Sequence, residues 1–521
     1  MLSSIERSAQ ALLSRVDAFC NRIYGWRLNP LYQSGTIVVS LYLTLLATGV
    51  WLLLFYRVGS PWASVDRITA DPWLGNWVRG LHRYATDAAV VFTAIHAFRM
   101  FAQARSWGAR ALAWVSGGLL VALMLLCAWS GYVMVWDTFG ERLAREGARM
   151  ADSLPILSEP VGRAFTGERP VPSVFFFITL FAHIGIPLGM GVVFWLHVKR
   201  LQRPLMLPPR PMLWSIIGVL AAVAIARPLV MAPEANPFVR PADIPFDLFV
   251  AFWVPMTASL GGGQVLALLL TGFAVLLVVP ALTARRGTAA PPPSVVDEDV
   301  CTGCTQCSID CPYGAIEMIA RTDDRPTLVA HVTPELCVSC GICAGSCAPM
   351  GVGPPGRSGR DQLTDALRYL EAASDVRDAI VVIGCDHGIG RHAAAIEAEG
   401  AVCRSVTCSG NLHTSVIERF IRAGARGVLV LACPPRDCWT REGPRWLHER
   451  VYNDREAELQ ARVPRTRIRI AHAGAGEWHV ARNELRMFAA HLAALMPPLP
   501  LPEPAAEPVC DAPVDVDVVL R

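Results

Sequence analysis

Four histidines in two matched pairs are the residues of this chain with the most specific chemistry. His82 and His96 lie fourteen residues apart in one apolar stretch, and His183 and His197 lie fourteen apart in another. At 100° per residue, fourteen steps come within about 40° of four full turns, so each pair shares one helix face. The rise is roughly 21 Å, which sets one histidine toward each side of a bilayer. Ionisable side chains inside a membrane are rare and functional by default, and neutral imidazole is a good ligand for iron. His82 with His183, and His96 with His197, are therefore expected as axial ligands of two haems, one outer and one inner. Gly35 and Gly49, and Gly117 and Gly131, repeat the same interval in two further apolar stretches. A missing side chain lets a helix backbone approach a flat macrocycle, so these glycines are expected haem contacts.

The second chemistry belongs to the cysteines. Of sixteen in the chain, eight fall between Cys301 and Cys347. Cys301, Cys304, Cys307 and Cys311 make a C-x2-C-x2-C-x3-C run followed by Pro312, and Cys337, Cys340, Cys343 and Cys347 repeat the spacing with Ala348 in place of the proline. Such paired runs resemble the bacterial two-cluster ferredoxins, in which the fourth cysteine of each run ligates the other cluster. The expected 4Fe–4S ligand sets are Cys301, Cys304, Cys307 and Cys347 for the first, and Cys337, Cys340, Cys343 and Cys311 for the second. A zinc knuckle needs only four ligands and accounts for the eight poorly. A third constellation is Cys385, Cys408, Cys433 and Cys438, three of which follow predicted strands. In a parallel sheet such positions converge at the carboxyl edge, where open α/β folds bind ligands.

These residues must be positioned by at least three kinds of structure. The chain is 53% hydrophobic and 17% charged over 521 residues. The apolar excess lies in roughly the first 285 residues, with the later part soluble in character. The fold class is therefore multi-domain: an all-α transmembrane bundle, a ferredoxin-like domain and a C-terminal α/β domain. Six spans are expected, at 34–56, 79–103, 111–136, 173–199, 212–231 and 262–283. An amphipathic segment, 1–33, precedes the membrane domain at 34–286, and its arginines suit a helix lying on a membrane surface. A linker at 287–298 leads to the cysteine-rich domain at 299–350, and a second linker covers 351–375. The α/β domain covers 376–496, with predicted strands at Ala379–Gly384, Val402–Thr407, Val428–Ala432 and Arg467–Ala471. The Pro-rich tail, 497–521, is expected to be disordered. Arg105, Arg110, Lys199, Arg200, Arg203, Arg210, Arg285 and Arg286 follow the positive-inside pattern, which puts both ends and all iron–sulfur domains on the cytoplasmic side of an inner membrane. The net charge of +3 suggests no nucleic-acid partner.

Over about residues 1–285 the chain resembles cytochrome b of the bc and bf complexes. The His and Gly pairs and the run SGYVMVW at 130–136 carry the likeness. It implies haem b, with Arg79 and Arg99 at the haem propionates. Pro245-Phe246-Asp247-Leu248 falls where that family has Pro-Glu-Trp-Tyr, and Phe246 in place of glutamate counts against outer quinol oxidation of that kind. Asp137 and Val135 also depart from the family's Pro-Trp-Gly segment. The motifs VTCSG at 406–410 and LACPPRDC at 431–438 resemble the delta subunit of methyl-viologen-reducing hydrogenase. That likeness implies one 2Fe–2S cluster at Cys385, Cys408, Cys433 and Cys438, and electron exchange with a flavoprotein. Gly388 stands where that family has a further cysteine, and Cys403 is a spare ligand.

The combined expectation is a subunit of a quinone-linked oxidoreductase. Electrons would pass between a cytoplasmic flavoprotein or iron–sulfur partner and quinone, most naturally toward quinone, within a multi-subunit, lipid-embedded complex for which a dimer is one expected form. The alternatives are a quinol-oxidising bc-type core with an iron–sulfur outlet, and a redox sensor or assembly module.

Overall fold

A computed structural model describes residues 2–155, 160–165, 171–236, 238, 247–284, 291–372 and 375–495. The chain forms two compact units: Met1–Pro293 with Cys311–Glu317 and Val332–Ser339, and Ser294–Asp310 with Met318–His331 and Cys340–Arg521. The cysteine-rich segment thus contributes residues to both.

The first unit is helical: α1 (Leu2–Tyr24), α2 (Ser34–Leu53), α3 (Pro61–Ala70), α4 (Gly75–Ala102), α5 (Ala111–Val135), α6 (Thr138–Ala151), α7 (Ser173–Val198), α8 (Arg210–Ala226) and α9 (Gly262–Thr283). Among the described residues four helices are long and apolar enough to cross a membrane: Ser34–Leu53, Gly108–Val135, Ser173–Val198 and Gly262–Thr283. Six were expected. The helix α4 has the length but carries Arg79, Arg83, Asp87 and Arg99, and α8 has 17 residues, short of the ~20 a bilayer needs. The closest packing joins α2 to α4 and α5 to α7, which brings the glycine-bearing helices against the histidine-bearing ones.

The helix α1 lays Ile5, Leu12, Val16, Phe19 and Ile23 along one exposed stripe and buries Leu13, Asp17 and Asn21. That pattern is amphipathic. Asp137, one of the departures from the cytochrome b pattern, caps α6 by accepting hydrogen bonds from the N–H groups of Phe139 and Gly140. The linker at 287–298 is described only from 291, and Arg285, Arg286, Pro245, Phe246 and the tail lie outside the described residues.

The second unit holds a four-stranded sheet: β1 (Ile380–Cys385), β2 (Val402–Val406), β3 (Gly427–Ala432) and β4 (Ile468–His472), in the order β2-β1-β3-β4. All pairs are parallel, with Val381 opposite Val402 and Val428, and Val428 opposite Ile468. Successive side chains on a strand point to opposite faces. Val381, Ile383, Val428 and Val430 accordingly pack against α10 (Gly359–Ala372), α11 (Thr414–Arg422) and α12 (Gly443–Tyr452). Val382, Leu429 and Leu431 pack against α13 (Trp478–Ala494) on the other face. Both faces are covered, as a parallel sheet requires.

The segment 351–375 is not a plain linker. Val352 and Gly353 pair antiparallel with Val296 and Val295, and α10 buries Ala366 in the sheet core. The Gly and Pro residues near 351–356 mark a turn into a helix whose apolar face was short enough to escape notice.

Candidate haem and iron–sulfur sites

The four histidines form two facing pairs. The rings of His82 and His183 have centroids 6.5 Å apart, and His96 and His197 lie within electrostatic reach of each other. Two imidazoles binding one metal from opposite sides through Nε2, at ~2.0 Å each, would have centroids about 6 Å apart. The His82–His183 spacing fits a bis-imidazole iron.

Each ring is held at Nδ1 by a hydroxyl. Thr48 Oγ1 meets His82 at 2.9 Å, Ser34 Oγ meets His96 at 3.3 Å, Ser130 Oγ meets His183 at 3.0 Å and Ser116 Oγ meets His197 at 3.0 Å. Three of these hydroxyls spend their own proton on a backbone carbonyl: Thr48 on Thr44, Ser116 on Leu112 and Ser130 on Cys127. They must then accept from Nδ1–H, which leaves Nε2 as the bare, metal-ready nitrogen. Among the described residues no hydrogen bond occupies Nε2 of these four rings.

Every one of these hydroxyl residues is followed by a glycine. A Cβ at Gly35, Gly49, Gly117 or Gly131 would come within 3.0, 3.3, 3.3 and 3.0 Å of Cε1 of His96, His82, His197 and His183 respectively. The glycines, expected as haem contacts, therefore clear space for the imidazoles themselves. The Ser/Thr-Gly pair, repeated four times at fourteen-residue intervals within its helices, was a visible signal whose hydroxyl half sequence reasoning missed.

The two arginines expected at haem propionates have protein partners. Arg99 is 3% exposed, its Nη1 donates to Asp17 Oδ1 at 2.7 Å, and its guanidinium lies over the Tyr32 ring. Arg79 donates to Thr69 Oγ1 at 2.8 Å. No sequence signal marked Asp17 of α1 as the partner of Arg99.

In the second unit, Cys301, Cys304, Cys307 and Cys347 line one cavity together with Val296, Met318, Ala330 and Val352. These are the four cysteines expected for the first 4Fe–4S cluster, in an apolar surround. Burial pushes the Cys307 and Cys347 thiols up, and neighbouring cysteines add to it, as expected of a site whose thiolates await a compensating metal. Left-handed backbone recurs at matching places in the two runs, at Gly303 and Thr305 and again at Ser339 and Gly341, so both loops curl alike. Of the second set, Cys340 and Cys343 belong to the second unit, while Cys311 and Cys337 belong to the first. Within the first unit Gln202 N donates to the Pro312 carbonyl at 3.0 Å, Arg203 to the Cys311 carbonyl at 3.4 Å, and Arg110 to the Tyr313 hydroxyl at 2.7 Å.

Cys385, Cys408, Cys433 and Cys438 form one buried cluster at the carboxyl edge of the sheet. They sit as two pairs: Cys433 Sγ lies 3.5 Å from Cys385 Sγ, and Cys408 hydrogen-bonds Cys438. Two thiolates on one tetrahedral metal at ~2.3 Å stand about 3.7 Å apart, so two pairs suit two irons. Thr440 Oγ1 touches both Cys408 and Cys438, at 2.8 and 3.2 Å. Hydrogen bonds from Cys408, Thr440 and backbone N–H groups bring the Cys438 thiol down, against the opposing effect of burial. Cys403, the spare, packs in the separate core under α13. A Cβ at Gly388 would lie 3.1 Å from Cys433 Sγ, so the family's further cysteine would also have pointed here.

Comparisons with known proteins agree with this division. The family model for cytochrome b/b6/petB matches residues 21–204, that for the 4Fe-4S dicluster domain matches 300–351, and that for the delta subunit of methyl-viologen-reducing hydrogenase matches 390–496. The last match begins after Cys385. The menaquinol:cytochrome c reductase cytochrome b subunit of Geobacillus thermodenitrificans is 23% identical over 160 residues, covering 29% of this chain and 71% of that protein. Cytochrome b6 of Heliobacterium mobile is 29% identical over 132 residues, covering 25% and 62%. A solved structure described as a hyperthermophilic respiratory Complex III aligns at 16% identity with a TM-score of 0.39, over 48% of this chain and 75% of that one. Cytochrome b likeness implies haem b, and the dicluster likeness implies 4Fe–4S iron. In chain order, the three parts of this membrane protein resemble cytochrome b, a 4Fe–4S dicluster domain and the delta subunit of methyl-viologen-reducing hydrogenase.

Proposed function

We propose that this chain conducts electrons between a soluble cytoplasmic redox partner and quinone in the membrane, in the direction of quinone. Two haem b groups, two 4Fe–4S clusters and a 2Fe–2S cluster supply the one-electron chemistry when bound. The protein's own part is to hold them in order. His82 with His183, and His96 with His197, hold the outer and inner haems. The eight cysteines between Cys301 and Cys347 hold the 4Fe–4S pair, and Cys385, Cys408, Cys433 and Cys438 hold the last cluster, where a flavoprotein or iron–sulfur subunit docks. The positive charges at Arg105, Arg110, Lys199, Arg200, Arg203 and Arg210 support a cytoplasmic position for this end.

The observation that carries this reading is the bonding of the Cys311–Tyr313 segment to Arg110, Gln202 and Arg203. Gln202 lies five residues after His197. An expected cluster ligand and an expected inner-haem ligand are therefore joined by a short, hydrogen-bonded stretch of protein. The test is haem reduction in inside-out membrane vesicles by a reduced viologen. Cys311→Ser is expected to slow it at least tenfold while leaving reduction by added quinol unchanged. Viologen-driven reduction at the unmodified rate would defeat the proposed path.

A second reading, quinol oxidation at the outer side, has one observation in its favour. Asp247 accepts hydrogen bonds from the Tyr132 hydroxyl and, at 2.8 Å, from Arg83, and so supplies a carboxylate one position from where Phe246 removes one. Asp247→Asn would abolish quinol-driven haem reduction on this reading and leave viologen-driven reduction intact.

A further inference from the structure

Arg450, on α12, heads the fully buried side chains of the described residues by size. Burial lowers its guanidinium to about 10, which keeps it charged at neutral pH. Its hydrogen bonds go to neutral acceptors: Nη1 to Ser346 Oγ at 2.9 Å, and Nη2 to the carbonyls of Gly410 at 2.8 Å and Leu412 at 3.4 Å. Its Nε, also buried, has no hydrogen-bond partner among the described residues. The carboxylate that acts on it is Asp310. That carboxylate is already taken, by Arg455 at 2.7 Å on one oxygen and by Ser346 at 2.6 Å on the other. Two buried or half-buried cations thus share one anion.

An excess charge in such a place is strongly unfavourable unless something compensates it. Sulfurs are also in reach. Cys343 and Cys408 both act on Arg450. Ser346 immediately precedes Cys347, and Gly410 N–H donates to Cys408 Sγ at 3.3 Å. The fit leaves no slack, because a Cβ at Gly345 would lie 2.6 Å from Nη2. The planar fork of arginine can address two sides at once, which a lysine ammonium does less well.

We propose that Arg450 is the shared counter-cation of the iron–sulfur ligand segments beside it, Cys343–Cys347 and Cys408, and that its charge raises the reduction potential of the clusters they hold. This rests on the reading that both cysteine sets hold clusters. Reduction adds one electron, and so one negative charge, to a cluster already wrapped in thiolates. A fixed cation in a low-dielectric site favours the reduced form. Arg450 is a positioning and tuning residue, since it touches the ligand segments and not the reacting atoms.

The experiment uses the full chain purified in detergent, with iron and haem counted and the clusters titrated with dithionite under paramagnetic-resonance detection. Arg450→Met keeps the length and removes the charge; Arg450→Lys keeps the charge. The Met variant is expected to need a potential lower by about 59 mV or more for the same degree of reduction, a tenfold shift for one electron, and the Lys variant less than half of that. Loss of iron in the Met variant with retention in the Lys variant also supports the counter-cation role. Unshifted potentials at full iron content overturn it, as does loss of iron in both variants with haem retained, which would make Arg450 a packing residue. Failure of the underlying reading is seen separately, in the unmodified chain: about eight non-haem irons in place of about ten would show that the Cys408 set is empty, and would end the shared role.

Discussion

The hydroxyl of Thr48 lies 2.9 Å from Nδ1 of His82, and its proton is committed to the Thr44 carbonyl, so the imidazole must donate. Nε2 is thereby left as the bare nitrogen, the one able to take a metal. Loss of such an outer partner typically weakens metal binding 10–100-fold. Thr48→Val is therefore expected to speed haem transfer from the His82–His183 site to an apoprotein acceptor by roughly tenfold or more. The His96–His197 site, braced by Ser34 and Ser116, should keep its haem. Equal haem loss from both sites would contradict the bracing role.

His183→Ala should reduce the pyridine haemochrome count from about two haems per chain to about one. The remaining haem should retain most of its low-spin spectrum, because His96 and His197 do not depend on the outer pair. A count that stays at two would remove His183 as a ligand.

Sidedness is open to chemical labelling. Leu154 follows α6 and is exposed, whereas Gly140 is pressed against the Tyr132 carbonyl and would not accept a cysteine. Leu154→Cys is expected to react with an impermeant maleimide from outside intact cells, and a C-terminal reporter should be active only in the cytoplasm. Labelling from the opposite side would place the cysteine domains in the wrong compartment for the proposed donor.

Cys433→Ser should remove about two irons per chain and the corresponding paramagnetic-resonance signal, leaving the 4Fe–4S signals in place. Cys385→Ser should do the same, since the two sulfurs are a pair 3.5 Å apart. Cys403→Ser should be silent, because Cys403 packs elsewhere. A signal lost with Cys403 and kept with Cys385 would reverse the ligand assignment.

Much of this was legible in the sequence because the relevant constraints are local. Fourteen residues is nearly four turns, so two histidines on one helix face follow from helix geometry alone. The C-x2-C-x2-C-x3-C runs curl on themselves, and the β strands fell within a residue or so of their predicted positions because alternating valine, isoleucine and leucine runs leave few other options. Hydropathy carried the membrane character, whereas the partners that accommodate the four charged residues of α4 lie largely on its neighbours.

What only the tertiary structure decided are the meetings between residues distant in sequence. Asp17 reaches Arg99 across 82 positions, Arg450 reaches Ser346 across 104, and the Cys385–Cys433 pair closes over 48. No periodicity encodes such a contact. A buried charge is tolerable only where a partner happens to be brought to it, and the path of the chain that brings it is a property of the whole packing. The sequence by itself determined which groups could carry electrons and on which local elements they lie. The fold determined which nitrogen His82, His183 and His197 present, which cysteines share a pocket, and that Arg450 lies buried beside Ser346 and Gly410.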